Sequence, residues 1–197
     1  MKKAGKSVTT IYIKNMVCGR CIRVVREELE KLGFQIGRIE LGEVDVVNGK
    51  SIDLRKIRSV LERNGFQLIE DKNARVIERI KLAILDLVQH DYSESPLRAN
   101  YSGYIAKELG YDYHYLSSLF SSIENITIEQ YIILQKIERV KEFLKYGEWT
   151  LSEIAFRMGY SSVQHLSNQF KKVTGLTPSH FKELKESLRK PLDKVGL

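Results

Sequence analysis

The sequence of 197 residues has few cysteines and prolines and no long apolar run. Thiols stay reduced in the cytosol, so in a cytosolic protein a single C-x-x-C pair favours metal binding or redox chemistry over a structural disulfide. No apolar stretch approaches the ~20 residues of a membrane-spanning helix, and the basic start "MKKAGKSVTTIYIK" is not followed by the apolar run of a signal peptide. We therefore expect a cytoplasmic protein that contacts no membrane and folds around hydrophobic cores.

The length and charge of the chain favour two small domains and permit an anionic partner. Hydrophobic residues make up 43% of the chain and charged residues 29%, which is typical of globular domains. The net charge of +7 permits nucleic acid as a partner without requiring it. Residues 1–72 contain fifteen Lys and Arg against ten Asp and Glu, so most of the excess lies there.

Residues 8–70 alternate between strand and helix signals. The run "VTTIYIK" has a period of two and predicts a strand. A helix with Val25 and Leu29 inward ends at Gly33, and a hairpin follows around Gly42. A second helix starts at Asp53, with Leu54, Ile57 and Leu61 inward and Gly65 as its stop, and "FQLIE" closes the sheet. This βαββαβ order predicts a ferredoxin-like domain over residues 1–72 in an α+β chain.

Both cysteines lie in the stretch "NMVCGRC", between the first strand and the first helix. The positive end of a helix lowers the pKa of a nearby thiol, and Arg20 and Arg23 act in the same direction. Two thiolates, Cys18 and Cys21, suit a soft ion of low coordination number such as Cu(I).

On this order of elements, "NMVCGRC" resembles the M-x-C-x-x-C motif of the heavy-metal-associated domain. The resemblance covers residues 8–70. It implies that Cys18 and Cys21 hold Cu(I) or a similar soft metal ion, with Met16 packed inward under the loop. Phe66 stands where that family often places an aromatic residue facing the loop, and Asn15 replaces the usual glycine.

Other interpretations of the cysteines remain open. Thioredoxin-like redox chemistry uses C-x-x-C but needs a proline opposite the thiols, and the first proline here is Pro96. A structural zinc site needs four ligands, and no histidine lies in this domain. The domain could also serve only for dimerisation or docking, with inert cysteines.

An apolar helical stripe in "NARVIERIKLAILDLVQHD" predicts a linker helix within residues 73–95, followed by a repeated segment. The heptapeptide "IAKELGY" at Ile105 returns as "IAFRMGY" at Ile154. Later positions return after 50 residues: Leu116 at Leu166, Ser117 at Ser167, Phe120 at Phe170, Thr127 at Thr177 and Tyr131 at Phe181. Each copy predicts a helix-turn-helix, so we expect residues 96–197 to form an all-α double helix-turn-helix domain.

The second copy, "LSEIAFRMGYSSVQHLSNQFKKVTGLTPSHFKEL", is similar to the second helix-turn-helix of AraC/XylS-type transcription regulators. The segment "YIILQKIERVKEFL" resembles the connecting helix of that family, and the whole match covers about residues 98–188. The resemblance implies that each copy places its second helix in a major groove of double-stranded DNA.

The same resemblance implies which side chains contact DNA. They are His114, Ser117 and Ser118 in the first copy, Ser162, Gln164, His165 and Asn168 in the second, and Lys171 and Lys172 on the phosphates. Gln and Asn can bond adenine bidentately, and Ser can donate or accept. The first copy has Ser121 and Ser122 where the second has lysines, so we expect the second copy to dominate.

These patterns together predict a DNA-binding transcription regulator rather than an enzyme, with a soft metal ion at Cys18 and Cys21 as its signal. Double-stranded DNA is the expected partner, with RNA polymerase as a further one. The alternatives are a regulator whose N-terminal domain senses nothing, and a thiol redox sensor or oxidoreductase.

Overall fold

The computed structural model describes residues 7–48, 53–89 and 100–183. The chain divides into two compact units, an N-terminal unit of residues 1–82 and a C-terminal unit of residues 83–197. The division falls inside the helix that the sequence predicts as a linker. The last predicted linker residues, 90–95, and Pro96 lie outside the described residues.

The N-terminal unit has the βαββαβ order that the sequence predicts, followed by a longer helix. Its elements are β1 (Ser7–Lys14), α1 (Gly19–Lys31), β2 (Gln35–Glu40), β3 (Glu43–Asn48), α2 (Leu54–Arg63), β4 (Gln67–Ile69) and α3 (Lys72–Gln89). The strands form one sheet in the order β2-β3-β1-β4, and all neighbours are antiparallel. Strands β1 and β2 therefore run in the same direction on either side of β3, as in a split βαβ unit.

The core of this unit lies on one face of the sheet. In the register of β1 and β3, Ile11 is opposite Val44, and both side chains are buried together with Ile13 and Val46. Period-two alternation puts these β-branched residues on the same face. Helix α1 covers that face with its buried residues Val25 and Leu29, as the spacing of its apolar residues predicts.

Helix α2 differs from the prediction at one position. Asp53 caps it by accepting a hydrogen bond from the Arg55 N–H at 3.1 Å, as expected for a residue before the first turn. Leu54 was expected inward but is 40% exposed. It is the first helical residue, and its Cα–Cβ bond points back toward the N-terminus, beyond the core. Val60 is buried instead, beside Ile57.

The described part of the C-terminal unit contains the end of α3 and six further helices. They are α4 (Tyr101–Leu109), α5 (Tyr113–Glu124), α6 (Ile128–Tyr146), α7 (Leu151–Arg157), α8 (Val163–Thr174) and α9 (Pro178–Glu183). The capping boxes of α6 and α7 that start at Thr127 and Thr150 are both formed. Gly147 ends α6 in the left-handed conformation.

The sequence repeat appears as a repeated packing arrangement. Phe120 of α5 packs edge-on against Tyr131 of α6, with 5.6 Å between ring centroids. Phe170 of α8 packs in the same way against Phe181 of α9 at 5.5 Å. Each copy is therefore three helices, and the start of α6 is the third helix of the first copy.

Helix α6 buries a polar side chain that the apolar stripe did not predict. Gln135 is fully buried, and neither its Nε2 nor its Oε1 has a hydrogen-bond partner among the described residues. A buried amide without partners loses its hydration without compensation.

We therefore expect Gln135→Met, which keeps the length of the side chain, to raise the free energy of unfolding by about 1 to 3 kcal/mol. Urea denaturation of the full chain measures this change. Gln67→Met on the exposed side of β4 is the matched control and should change stability by less than about 0.5 kcal/mol. A loss of stability in Gln135→Met would contradict the interpretation of Gln135 as an uncompensated amide.

Candidate functional site

Helix α8 presents a polar surface because two large side chains fix its opposite face. Leu166 and Phe170, one turn apart, are fully buried. The predicted contact residues Gln164, His165 and Asn168 are all exposed on the helix. Their arrangement follows from helical periodicity, since one apolar stripe leaves the rest of the surface to solvent.

Two amide side chains on this surface contact each other. Gln164 Nε2 donates a hydrogen bond to Asn168 Oδ1 at 2.7 Å. This contact uses neither the Gln164 carbonyl oxygen nor the two N–H groups of the Asn168 amide, so an acceptor and a donor remain available. An acceptor and a donor held side by side match the pattern that adenine offers in the major groove.

The N-terminus of α8 is capped by a neutral side chain. Ser162 Oγ accepts a hydrogen bond from the His165 N–H at 3.0 Å, and the hydroxyl proton can still be donated to a phosphate. The imidazole of His165 lies against the preceding turn, with its Nδ1 3.2 Å from Ser161 Oγ and its ring edge-on to Tyr160 at 5.3 Å. The sequence did not predict these contacts of Tyr160 and Ser161. Ser161 is the extra residue of the second copy, after which the spacing between equivalent positions changes from 49 to 50 residues.

The first copy carries its predicted contact residues on α5, with a different cap. Asp112 Oδ1 accepts hydrogen bonds from the N–H groups of His114 and Tyr115 at 2.8 and 3.2 Å. His114 and Ser118 are exposed, and Ser117 is half-buried. A carboxylate at this N-terminus repels a phosphate where the serine cap of α8 does not.

The charges of the two copies also differ in sign. Residues 157–182 contain four basic and no acidic residues, whereas the equivalent residues 108–132 contain four acidic and no basic ones. Lys171 and Lys172 are exposed in the last turn of α8. Basic side chains beside polar ones supply the phosphate contacts of a DNA-binding surface.

Residues 105–184 match the family model described as "Helix-turn-helix domain". The chain is 26% identical over 187 residues to an uncharacterized HTH-type transcriptional regulator, YtdP, of Bacillus subtilis, which covers 91% of this chain and 23% of that protein. It is 31% identical over 130 residues to the Msm operon regulatory protein of Streptococcus mutans, covering 64% of this chain and 44% of that protein. The matched residues lie in the C-terminal unit, which therefore carries a helix-turn-helix domain.

The chain thus spans about a quarter of the first relative and less than half of the second. Among solved structures, it is similar to the C-terminal domain of AraT, a response regulator from Geobacillus stearothermophilus. That similarity has a TM-score of 0.49 and 21% identity and covers 61% of this chain and 95% of that chain. In the described part of the chain, no helix is both long and apolar enough to cross a membrane.

The thiol pair lies in the other unit, at the start of α1. Cys18 is the N-cap residue and is exposed, whereas Cys21 lies within the first turn of the helix and is half-buried. The two sulfurs are 3.5 Å apart. The Cys21 thiol also points toward the Asn15 carbonyl oxygen, at 3.9 Å.

The two thiols differ in acidity, which corrects the expectation that both pKa values fall. Burial favours the neutral form of Cys18, but hydrogen bonds from the Cys21 and Arg20 N–H groups and the charge of Arg20 outweigh it, so its pKa is lowered. Burial raises the pKa of Cys21, and the neighbouring Cys18 thiolate raises it further. The position of Cys21 inside the helix, closer to the core, produces this difference.

Asn15 fixes the thiol loop to two other elements of the N-terminal unit. Its backbone φ of +73° is unusual for a residue other than glycine. Asn15 Nδ2 donates to the Gly65 carbonyl at 3.0 Å, and the Asn15 N–H donates to Glu78 Oε1 of α3 at 3.0 Å. Sequence patterns did not indicate Glu78, because it lies in the linker helix 63 residues further along the chain.

The donor set of the loop fits a soft ion with two ligands. Among the described residues, no group of three or more His, Cys, Asp or Glu side chains could hold a metal ion, so the four ligands of a structural zinc site do not come together there. Met16 is fully buried in the core, as predicted. Two thiolates of one loop match the ligand preference of Cu(I).

Because only Cys18 is both exposed and acidified, we expect iodoacetamide to alkylate Cys18 before Cys21 at pH 7. The thiolate is the reactive form, so the rate at Cys18 should rise at a lower pH than that of an ordinary thiol, and the rate at Cys21 at a higher pH. Short reactions at several pH values, followed by peptide mass analysis, measure both rates. Unfolding the chain in guanidinium should remove the difference; equal rates in the folded chain would refute the assigned acidities.

Proposed function

We propose that the protein is a DNA-binding transcription regulator in which α8 is the main reading helix. The observation that carries this proposal is the exposed Gln164–Asn168 amide pair above a buried apolar face, next to Lys171 and Lys172. One named relative is described as a transcriptional regulator and the other as an operon regulatory protein, which supports the same role. Binding of RNA polymerase remains a prediction.

In this proposal the first copy assists binding without reading many bases. Its α5 combines the Asp112 cap, a half-buried Ser117 and no basic residue in its last turn. Weak contacts from His114 and Ser118 would align the domain on a second groove. In this proposal the first copy therefore anchors the domain on DNA, and the second copy reads the base sequence.

We further propose that the N-terminal unit, a ferredoxin-like domain resembling the heavy-metal-associated family, responds to Cu(I) held by Cys18 and Cys21. An ion bound between the two sulfurs changes the surroundings of the Asn15 carbonyl, which the Cys21 thiol faces. The Asn15 N–H bonds Glu78, so α3 is held by the same residue that borders the thiols. The boundary between the two units falls within α3, so residues of this helix belong to each of them. The ion acts only if it binds one state of this element more tightly than the other.

A thiol redox sensor is the second candidate, because the sulfurs lie 3.5 Å apart and only one of them is acidified. An acidic thiol next to a resolving one is the arrangement that redox-sensing cysteines use. Oxidation would join the two sulfurs in a disulfide. The oxidant would be a small disulfide such as oxidised glutathione, which takes up the two electrons and two protons and is reduced to two thiols.

Lys171→Ala with Lys172→Ala should weaken binding to every DNA sequence and reduce the salt slope by up to about two, because two phosphate contacts are lost. Asn168→Ala should instead cost about 1 to 3 kcal/mol on the preferred site and relax base choice there. Fluorescence anisotropy on a selected operator and on scrambled DNA at several salt concentrations measures both effects.

The control for charge is Lys145→Ala, an exposed lysine at the end of α6, which should leave the salt slope unchanged. Ser118→Ala on α5 should matter less than Asn168→Ala. If Ser118→Ala costs more than Asn168→Ala, the first copy is the main reader. If no α8 variant changes the affinity, the proposed DNA interface is wrong.

Replacing Cys18 and Cys21 together by serine should abolish uptake of one Cu(I) per chain and make DNA affinity indifferent to Cu(I). Anaerobic titration against a competing chelator measures uptake, and anisotropy with and without the ion measures the response. Circular dichroism of the variant controls for folding. Unchanged uptake would exclude the thiol site, whereas a DNA response to oxidised glutathione but not to Cu(I) would favour the redox sensor.

A further inference from the structure

The C-terminal unit contains a cavity of about 410 Å³ beside α6. Ile132 and Ile133 of α6 and the side chains of Tyr101, Tyr113 and Tyr160 are part of its lining. Pockets for small organic molecules range over roughly 300 to 1,000 Å³ and are mainly apolar with a few polar groups. This cavity is an open groove whose volume lies within that range and whose lining is mainly apolar.

A cation lies in the wall of this cavity. The Lys136 ammonium group lies 4.2 Å from the ring centroid of Tyr160. No carboxylate among the described residues forms an ion pair with it. Burial lowers the pKa of Lys136 to about 8. A charge removed from water is stabilised by a partner of opposite sign. Because the described residues of the cavity wall supply no such partner to Lys136, a bound anion could supply it.

The other charged and titratable groups in the wall do not neutralise Lys136. Glu129, two turns earlier on α6, accepts a hydrogen bond from the Tyr113 hydroxyl at 2.6 Å. That bond lowers the pKa of Glu129 and helps to raise the pKa of Tyr113, so the pair keeps its charge state near neutral pH. Burial raises the pKa of Tyr160, and His165 of α8 completes the set.

We propose that this cavity binds a small organic carboxylate, with its anionic group beside Lys136 Nζ and its apolar body against Ile132 and Ile133. The site is independent of the thiol pair and would give the DNA-binding unit an effector of its own. A carboxylate, rather than a neutral ligand, is favoured because the wall offers a cation without a counter-ion. The apolar lining favours a body larger than that of acetate.

An occupant of the cavity would also contact the proposed reading helix. The Tyr160 hydroxyl donates to Gln169 Oε1 of α8 at 2.6 Å, and both residues line the cavity together with His165. A carboxylate placed there adds negative charge next to the surface that faces DNA phosphates. We therefore expect the bound ligand to lower the affinity of the protein for its operator.

The test uses 3-phenylpropionate as the probe and its neutral amide as the matched control, with isothermal titration of the full chain at pH 7. The carboxylate should bind at least about tenfold more tightly than the amide, because only the carboxylate can pair with the ammonium group. It should also bind more tightly than acetate, which lacks the apolar body.

Variants assign the effect to one residue. Lys136→Met keeps the apolar stem and should reduce the affinity for 3-phenylpropionate to that of the amide, whereas Lys136→Arg should retain binding. Lys145→Met, an exposed lysine of the same helix, should have no effect. Far-UV circular dichroism and the melting temperature establish that each variant is folded.

The pH profile separates this site from an ordinary surface lysine. Lys136 is charged below pH 8 and neutral above it, so the affinity for 3-phenylpropionate should fall about tenfold between pH 7 and pH 9. A lysine with its usual pKa of about 10.4 would hold the affinity constant over that range. The probe itself stays ionised, and Lys136→Met should show no such fall.

Two results would overturn the proposal. One is that the carboxylate and the amide bind equally well to the folded chain. The other is that neither binds at 10 mM, and in this second case Lys136→Met is tested further: we then expect it to reduce the salt slope of DNA binding by about one. In that case the anion at Lys136 is a DNA phosphate, and the proposed regulator would stand without this ligand site.

Discussion

The packing of Phe170 against Phe181 determines which side of α8 faces solvent. The two rings meet edge-on at 5.5 Å, and Phe170 is fully buried together with Leu166. Once these two side chains are fixed, helical periodicity leaves Gln164, Asn168 and the two lysines no other place than the surface. The polar interface is therefore a consequence of an aromatic contact on the opposite side of the helix. Loss of that contact would remove the interface without touching any residue in it.

The same packing serves two surfaces of opposite charge. Phe120 meets Tyr131 at 5.6 Å in the first copy, so the core of the motif is kept, while the exposed positions differ. Buried positions are constrained by shape, because interiors are close-packed. Exposed positions are free to vary, and here they vary from four basic to four acidic residues over equivalent segments. Conservation of the fold between the copies therefore does not imply that both bind DNA alike.

Regular periodicity made most of the fold predictable from the sequence. The order of the elements, the helix start at Asp53 and the glycines after the first two helices, Gly33 and Gly65, are local signals, and the structure contains each of them. The prediction that Leu54 is buried was wrong, because periodicity does not say where a core ends along a helix. The exposure of the site residues on α8 could be predicted from the sequence. Contacts between segments that are distant in the sequence could not. The bond between Asn15 and Glu78 is such a contact, since 63 residues separate its partners.

That bond also limits how the thiol loop can move. The Asn15 N–H is held by Glu78, and its side chain is held by the Gly65 carbonyl, while its φ of +73° lies in a region that few residues other than glycine occupy. A residue in this region persists when its surroundings over-determine it, and Asn is one of the residues that tolerate it best. The Cys21 thiol faces the carbonyl of this same residue. Asn15 thus faces the Cys21 thiol with its carbonyl and holds Glu78 of α3 with its N–H, so the thiol loop and α3 share this residue.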